Sequence, residues 1–134
     1  MNNINVTPIG VIHSSLKSLD DCPLQGNEGA PEALVEIHAP YAEALQGVQA
    51  GNKILVITWL HAADRSVLKC YPRNETTAPY VGVFATRSPD RPNPLGLHPV
   101  KVMEVLDGNQ LRVHPLEALD GTPVVDIKPD ISAR

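Results

Sequence analysis

Turn-forming residues interrupt this chain so often that only short elements of secondary structure can form between them. The 134 residues include thirteen prolines and nine glycines, and proline is excluded from helix interiors and from the middle of a sheet. Segments rich in β-branched residues recur between the interruptions, a pattern that predicts a β-barrel or compact β-sandwich with minor helix. The predicted strands are residues 5–13, 33–37, 53–60, 80–85, 99–106, 110–116 and 123–128.

Four segments of the chain carry more specific structural predictions. Residues 53–60 form the longest apolar run and predict a central strand covered on both faces. Asp107-Gly108-Asn109 predicts a hairpin, because aspartate and glycine tolerate the turn dihedrals. Residues 40–45 favour a helix, since they begin with a proline and stop before a glycine. Residues 14–31 contain many turn formers and predict a long loop, which in a compact domain is either functional or disordered.

The composition limits the class of protein. The length suits one domain, residues 1–134, and 43% hydrophobic with 19% charged residues is ordinary for a soluble globular protein. One Trp, three Tyr and one Phe are too few aromatic residues to favour a stacking platform for single-stranded nucleic acid. The formal net charge of −4 argues against a generally basic nucleic-acid binder. Contact with RNA would need a local basic strip, for which the candidates are Lys53, Arg65, Lys69, Arg73 and Arg112.

The cysteines and the N-terminus predict a cytoplasmic location. Cys22 and Cys70 stand apart, with no Cys-x-x-Cys pair. The N-terminus lacks the basic start and apolar run of a secretory signal, and no apolar stretch approaches the roughly 20 residues that span a bilayer. We therefore expect a cytoplasmic protein whose cysteines are reduced and buried for structural reasons.

Several common functional motifs are missing. The sequence has no Gly-x-Gly-x-x-Gly after a strand, no phosphate-binding Gly-Lys-Ser/Thr loop and no Gly-x-Ser-x-Gly elbow. Its five histidines have no His-Glu-x-x-His spacing, and the two cysteines complete no zinc set. Neither a Rossmann-type nucleotide domain nor a metal site is predicted.

The densest group of polar side chains lies in residues 85–98. Pro89, Pro92 and Pro94 fix φ and push the preceding residues toward extended conformations, so the segment is expected to be stiff and unpaired. A rigid backbone lowers the entropy cost of ligand binding. The segment is either a preorganised binding site or a proline-stiffened surface loop. Its polar residues are Arg87, Ser88, Asp90, Arg91 and Asn93.

Three other stretches are candidates, each with a structural alternative. Gln25, in the long loop, could contact a ligand's polar edge or cap a turn. His61 follows the apolar strand, where ligands commonly meet a protein, although a histidine there is often structural. Asp126 and Lys128 share one face of the last strand because strand side chains alternate, which is also the pattern of an exposed ion pair.

Three motifs, taken in order, carry a resemblance to one family. They are PIGVIHS at 8–14, VGVFATRSPDRPNPLGL at 81–97 and LDGTPVVDIKP at 119–129. Over nearly its whole length the chain resembles the TsaA-like tRNA methyltransferase O family, which methylates N6 of threonylcarbamoyl-modified adenosine beside the tRNA anticodon. The resemblance implies a mainly β, antiparallel, non-Rossmann barrel that binds S-adenosylmethionine. It also implies a homodimer with cofactor sites near the subunit boundary.

The same resemblance implies roles for particular residues. Glu117 and Asp126 are candidate catalytic acceptors for the adenine N6–H, a hydrogen bond that would make the delocalised amine a better nucleophile. Arg91 and Asn93 belong to a motif and could shape the loop or contact the second subunit. The implied cofactor-binding residues are Pro23, Leu24, Gln25, His61, Ala62, Arg87, Leu97, His114, Pro115, Leu116 and Glu117.

Two departures from the family pattern bear on function. Leu24 replaces the arginine of the family's Pro-Arg-Gln, which removes a cation near the cofactor. The sequence stops five residues after Pro129, whereas longer members continue into a region expected to help hold tRNA. The main hypothesis is an S-adenosylmethionine-dependent methyltransferase acting on tRNA. The alternative is an S-adenosylmethionine-binding module, or a methyltransferase with a different acceptor.

Overall fold

A computed structural model describes residues 3–16, 32–71 and 79–133, and within these residues eight strands form. The predicted residues Cys22, Pro23, Leu24, Gln25 and Arg73 lie outside the described ranges. The strands are β1 (Gly10–His13), β2 (Ala33–Ile37), β3 (Lys53–Trp59), β4 (Lys69–Cys70), β5 (Val81–Gly82), β6 (Leu95–Leu106), β7 (Gln110–His114) and β8 (Pro123–Pro129).

Six of these strands close a barrel, which confirms the predicted mainly β antiparallel fold. The order around it is β1-β2-β7-β6-β3-β8, and each neighbouring pair is antiparallel. Strands β4 and β5 form a separate two-stranded sheet. Closure leaves the barrel strands with few unpaired edges, so the backbone is satisfied without helices packed against it.

Alternation of side chains along each strand builds the core. On β3, Ile54, Val56 and Thr58 are buried inside the barrel, while Leu55 and Ile57 on the outer face are only half-buried. The strand is central, as predicted, since it pairs with both β6 and β8. The expectation that both of its faces are covered is met only in part within the described residues, because the outer-face residues Leu55, Ile57 and Trp59 are partly buried.

The helical prediction at residues 40–45 holds in position but not in type, since Ala39–Leu45 is a 3-10 helix. Two shorter 3-10 helices are Val83–Ala85 and Ile131–Ala133. The predicted hairpin is confirmed: Asp107 and Gly108, between β6 and β7, have φ of 54° and 76°. These left-handed dihedrals are the ones that aspartate and glycine tolerate best.

Four predicted strands have different bounds. Residues 80–85 give only Val81–Gly82 before the chain turns into a 3-10 helix. The strand predicted at 110–116 ends at His114, where Pro115 follows with a cis peptide bond. The strand predicted at 5–13 begins at Gly10, after Pro8. Strand β6 begins at Leu95 rather than at Pro99, so residues 95–98 are paired and not part of the unpaired proline segment.

Candidate functional site

Most of the predicted cofactor residues within the described ranges lie around one end of the barrel. Strands β3 and β7 both run antiparallel to β6, so their C-terminal ends point toward the start of β6. His61 and Ala62 follow the end of β3 in an exposed turn, Leu97 lies near the start of β6, and His114 ends β7.

The first half of β6 has an open edge on the side that faces β7. Pairing with β7 begins only at Lys101, opposite His114, whereas pairing with β3 begins at Leu95. Among the described residues, no strand pairs with 95–100 on the β7 side. Pro99 is compatible with this edge because it has no N–H to donate.

The backbone groups of Leu97 point toward this edge. The carbonyls of Pro94 and Val102 accept hydrogen bonds from the β3 side, from Leu60 N at 2.8 Å and Gly51 N at 2.7 Å. Since backbone groups of successive residues alternate between the two sides of an antiparallel strand, the odd-numbered residues face away from β3. Leu97 therefore presents both an N–H and a C=O at the open edge.

Arg91 shapes the loop that carries Arg87, one of the two roles that its motif suggested. Its Nε donates to the Ser88 carbonyl at 2.8 Å, and its Nη2 donates to the carbonyls of Val83, at 2.7 Å, and Thr86. The half-buried guanidinium thus holds residues 83–88 in a compact turn. Arg87 is exposed on that turn and makes no hydrogen bond or ion pair within the described part of the chain.

Residues 114–118 cross the same end of the barrel after β7. Leu116, an implied cofactor contact, is fully buried in the core, so neither its side chain nor its backbone is accessible to a ligand in the single chain. Ala118 is also buried, and its carbonyl accepts a hydrogen bond from the Ser14 hydroxyl at 2.8 Å. Glu117, between these two, is half-buried, and this burial raises the pKa of its carboxyl to about 6. A carboxyl with that pKa can accept or hold a proton near neutral pH.

Asp126 and Lys128 form the predicted ion pair on the outer face of β8. Lys128 Nζ lies 3.6 Å from Asp126 Oδ2, and both side chains are at least half exposed. Asp126 Oδ1 also accepts a hydrogen bond from the backbone N–H of Ile127 at 2.9 Å. Its Cα pairs with that of Ile57, whose other neighbour is Leu97. Asp126 is thus two strands from the open edge, whereas Glu117 lies at the barrel end itself.

A buried polar pair near the start of β6 was not predicted. Thr58 Oγ1 and His98 Nε2 are 2.8 Å apart, and Thr58 is fully buried. Burial lowers the pKa of His98 to about 4, so the imidazole is neutral at pH 7. Gly96 leaves room for the pair, because a Cβ there would lie 2.4 Å from Thr58 Oγ1. This pair is structural: it satisfies polar groups inside the barrel.

The four candidate cations that the structure describes, Lys53, Arg65, Lys69 and Arg112, do not form one continuous RNA-binding strip. Lys53 and Arg65 lie near opposite ends of β3, about 20 Å apart at roughly 3.3 Å per residue. Arg112 is paired with Glu32 at 2.6 Å and Glu104 at 3.2 Å. Lys69 contacts the ring of Tyr80.

Two other predictions concern cysteine and metal. Cys70 is half-buried rather than buried, with its Sγ 3.9 Å from Thr86 Oγ1. Within residues 3–16, 32–71 and 79–133, no three side chains of His, Cys, Asp or Glu are grouped as metal ligands. The helices in these ranges are all too short to cross a membrane.

Comparisons with known proteins agree with this architecture. The tRNA-methyltransferase O N-terminal domain family matches residues 11–133. A probable S-adenosyl-L-methionine-binding protein of Methanothermobacter thermautotrophicus is 44% identical over 126 residues, covering 94% of this chain and 89% of the relative. An S-adenosyl-L-methionine-binding protein of Archaeoglobus fulgidus is 43% identical over 121 residues, covering 90% of this chain and 85% of that protein.

The fold is also similar to that of a solved structure. TrmO from P. aeruginosa superposes with a TM-score of 0.76 at 31% identity, covering 99% of this chain. The chain spans 57% of that TrmO chain. With a family match over 11–133 and two relatives above 40% identity, the chain belongs to the tRNA-methyltransferase O N-terminal domain family.

Proposed function

We propose that this chain is an S-adenosylmethionine-dependent methyltransferase that methylates N6 of threonylcarbamoyl-modified adenosine next to the tRNA anticodon. The family match over residues 11–133 carries the proposal. The relatives named as S-adenosyl-L-methionine-binding proteins support the cofactor.

The residues at the barrel end suit this cofactor. An adenine edge needs one donor and one acceptor close together, which the backbone N–H and C=O of Leu97 supply at the open edge of β6. The exposed guanidinium of Arg87 offers a planar donor fork to a carboxylate such as that of the methionine part. When bound, the cofactor supplies an electrophilic methyl group on a sulfonium.

The protein's contribution to the reaction is mainly placement of the acceptor amine in line with that methyl group. Adenine N6 is a weak nucleophile because its lone pair is delocalised, and an acceptor for its N–H strengthens it. Glu117 serves this role better than Asp126, because Asp126 is ion-paired with Lys128 and lies two strands from the open edge. We therefore rank Asp126 behind Glu117 as the candidate acceptor for the adenine N6–H.

The outer face of β3 and β6 supports a homodimer with the cofactor site near its boundary. Leu95 and Leu97 are 47% and 42% exposed, and they lie opposite Trp59 and Ile57 on the same face. An apolar face of this kind, next to the open edge, is suited to a second copy of the chain. The homodimer would place the partner's surface beside Leu97.

Ionisation of Glu117 gives a pH-dependent rate. Its pKa is raised to about 6, so the accepting carboxylate is lost as the pH falls through that value. The rate of methyl transfer at saturating cofactor should therefore fall between about pH 7 and pH 5. Glu117→Gln should lower the rate and remove this acidic limb, while its thermal unfolding temperature stays near that of the wild type. An unchanged pH profile in the variant would assign the limb to another group.

A second candidate function is cofactor binding without tRNA methylation. It is favoured by a formal net charge of −4 and by the scattered cations, since phosphate backbones bind clustered Lys and Arg. The chain would then sense S-adenosylmethionine or modify another acceptor.

Methyl-transfer assays separate the two. The purified chain is incubated with radiolabelled S-adenosylmethionine and with tRNA that carries or lacks the threonylcarbamoyl group. The proposed function predicts label only in the modified pool, on N6 of that nucleoside after digestion. Cofactor binding with no label in either pool would favour the second candidate.

A further inference from the structure

Hydrogen bonds join two segments that carry residues implied in cofactor binding. The sequence motifs of these segments do not indicate the hydrogen bonds. One is the turn 61–66, which holds His61 and Ala62. The other is the segment 90–93, directly after the compact turn that displays Arg87. Three hydrogen bonds cross between them, from two residues of the turn to three of the segment.

Arg65 makes two of the three. Its Nε donates to the Pro92 carbonyl at 2.7 Å, and its Nη2 donates to Asn93 Oδ1 at 3.2 Å. The guanidinium also lies over the Trp59 ring, 5.0 Å from the centroid, which fixes its plane relative to the end of β3. None of these contacts is with a carboxylate, so the arrangement depends on the shape of the guanidinium more than on its charge.

Asp90 makes the third. Its Oδ1 accepts a hydrogen bond from the backbone N–H of Asp64 at 2.8 Å. The Asp64 carboxylate makes no hydrogen bond to the segment 90–93; it accepts hydrogen bonds from the N–H and the hydroxyl of Ser66, at 2.9 and 2.6 Å. These hydrogen bonds lower the pKa of the Asp64 carboxyl. The turn 61–66 is thus stabilised by its own hydrogen bonds, and its backbone is hydrogen-bonded to the segment 90–93.

We infer that Arg65 and Asp90 are positioning residues for the cofactor, which set the spacing between His61-Ala62 and Arg87. The inference rests on the proposed function. It assigns these two residues no contact with the cofactor; they act by holding the two loops that do. Neither is part of the buried core, so their contribution to the stability of the barrel is small.

Paired substitutions test the inference. Asp90→Ala removes the acceptor for the Asp64 N–H, whereas Asp90→Asn keeps an oxygen in the same place. Arg65→Ala removes both donors, and Arg65→Lys keeps a cation over Trp59 without the fork. We expect S-adenosylmethionine to bind about tenfold more weakly to Asp90→Ala, Arg65→Ala and Arg65→Lys, and Asp90→Asn to bind like the wild type.

The readouts are the dissociation constant by calorimetric titration and the melting temperature of each variant. Arg112→Ala is the matched control, because Arg112, on β7, also uses its guanidinium to bond two partners, Glu32 and Glu104, away from the two loops. A positioning role predicts weaker binding with a melting temperature equal to that of the control. In turnover, it predicts a raised KM for S-adenosylmethionine with little change in KM for tRNA.

Two kinds of failure are distinguishable. If the wild type does not bind S-adenosylmethionine, the proposed function fails. If the wild type binds and Asp90→Ala and Arg65→Ala bind equally well, only the positioning role is overturned. Weaker binding that Asp90→Asn does not restore, or that accompanies a lower melting temperature, also overturns it.

Discussion

Arg87→Ala should bind S-adenosylmethionine about 100-fold more weakly than the wild type, since a charge-assisted hydrogen bond contributes roughly 1.5–3 kcal/mol. Arg87 is exposed on a turn that Arg91 holds in place, and within the described residues it has no partner of its own. In the wild-type chain, therefore, no internal ion pair of Arg87 has to be broken when a carboxylate binds. The substitution should leave the turn intact, because Arg91 and not Arg87 makes the bonds that hold it.

Calorimetric titration of S-adenosylmethionine measures this effect. Arg87→Lys keeps the charge but loses the planar fork, so its affinity should lie between those of the wild type and Arg87→Ala. Sedimentation and circular dichroism of each variant serve as controls, and the proposed dimer should persist in all of them. Unchanged affinity in a folded Arg87→Ala variant would remove Arg87 from the cofactor site.

Gly10→Ala should destabilise the barrel by about 3 kcal/mol, since added atoms in a tightly packed site force the backbone apart. A Cβ at Gly10 would lie 2.3 Å from the Glu36 carbonyl oxygen and 3.2 Å from Ile37 Cα, both backbone atoms of β2. Gly10 is also paired with Val124 on β8, so β1 cannot shift away freely. Since β1 joins β2 to β8, displacing it opens the closed barrel.

Urea denaturation followed by circular dichroism measures the loss. Gly82→Ala is the matched control, because Gly82 is exposed and a Cβ there would meet only the Leu68 carbonyl oxygen at 3.8 Å. The control should unfold within about 0.5 kcal/mol of the wild type, as exposed substitutions generally do. Equal midpoints for the two variants would contradict the close packing of β1 against β2.

Local pattern was sufficient to predict much of the barrel. The strand at Ala33–Ile37 matches its predicted bounds, and those at Lys53–Trp59 and Pro123–Pro129 end within one residue of them. In each, β-branched residues alternate over a length bounded by turn formers, so the two-residue period and the breakers agree. The prolines at 89, 92 and 94 predict an unpaired segment over 85–98, which holds up to Pro94 and is wrong for Leu95–His98.

Predictions failed where contacts from outside a predicted segment override the pattern within it. Residues 80–85 have an apolar, β-branched pattern, yet Arg91 bonds to the carbonyls of Val83 and Thr86 and turns the chain into a 3-10 helix. The start of β6 was missed because Leu95–His98 gain their partners from β3, about 40 residues earlier. No window of local sequence contains that pairing.

Prediction of the site is limited for the same reason: its geometry depends on contacts between segments that are separate in the sequence. Resemblance supplied His61, Arg87, Leu97 and Glu117 as candidates, and all four lie in segments at one end of the barrel. The open edge at Leu97 follows from the late start of the β6–β7 pairing, which is a property of register. The bonds of Arg65 and Asp90 join residues 26 to 28 positions apart in two irregular loops, where no periodicity exists to reveal them.

The central claim is that S-adenosylmethionine binds at the end of the barrel where β6 has its open edge. Titration of the ¹⁵N-labelled chain with S-adenosylmethionine, followed by amide NMR shifts, tests this directly. The claim predicts saturable shifts at His61, Ala62, Leu97 and Glu117, with Arg87 shifting in the same titration. Absence of shifts, or shifts confined to the opposite end of the barrel around Lys53 and Asn109, would contradict it.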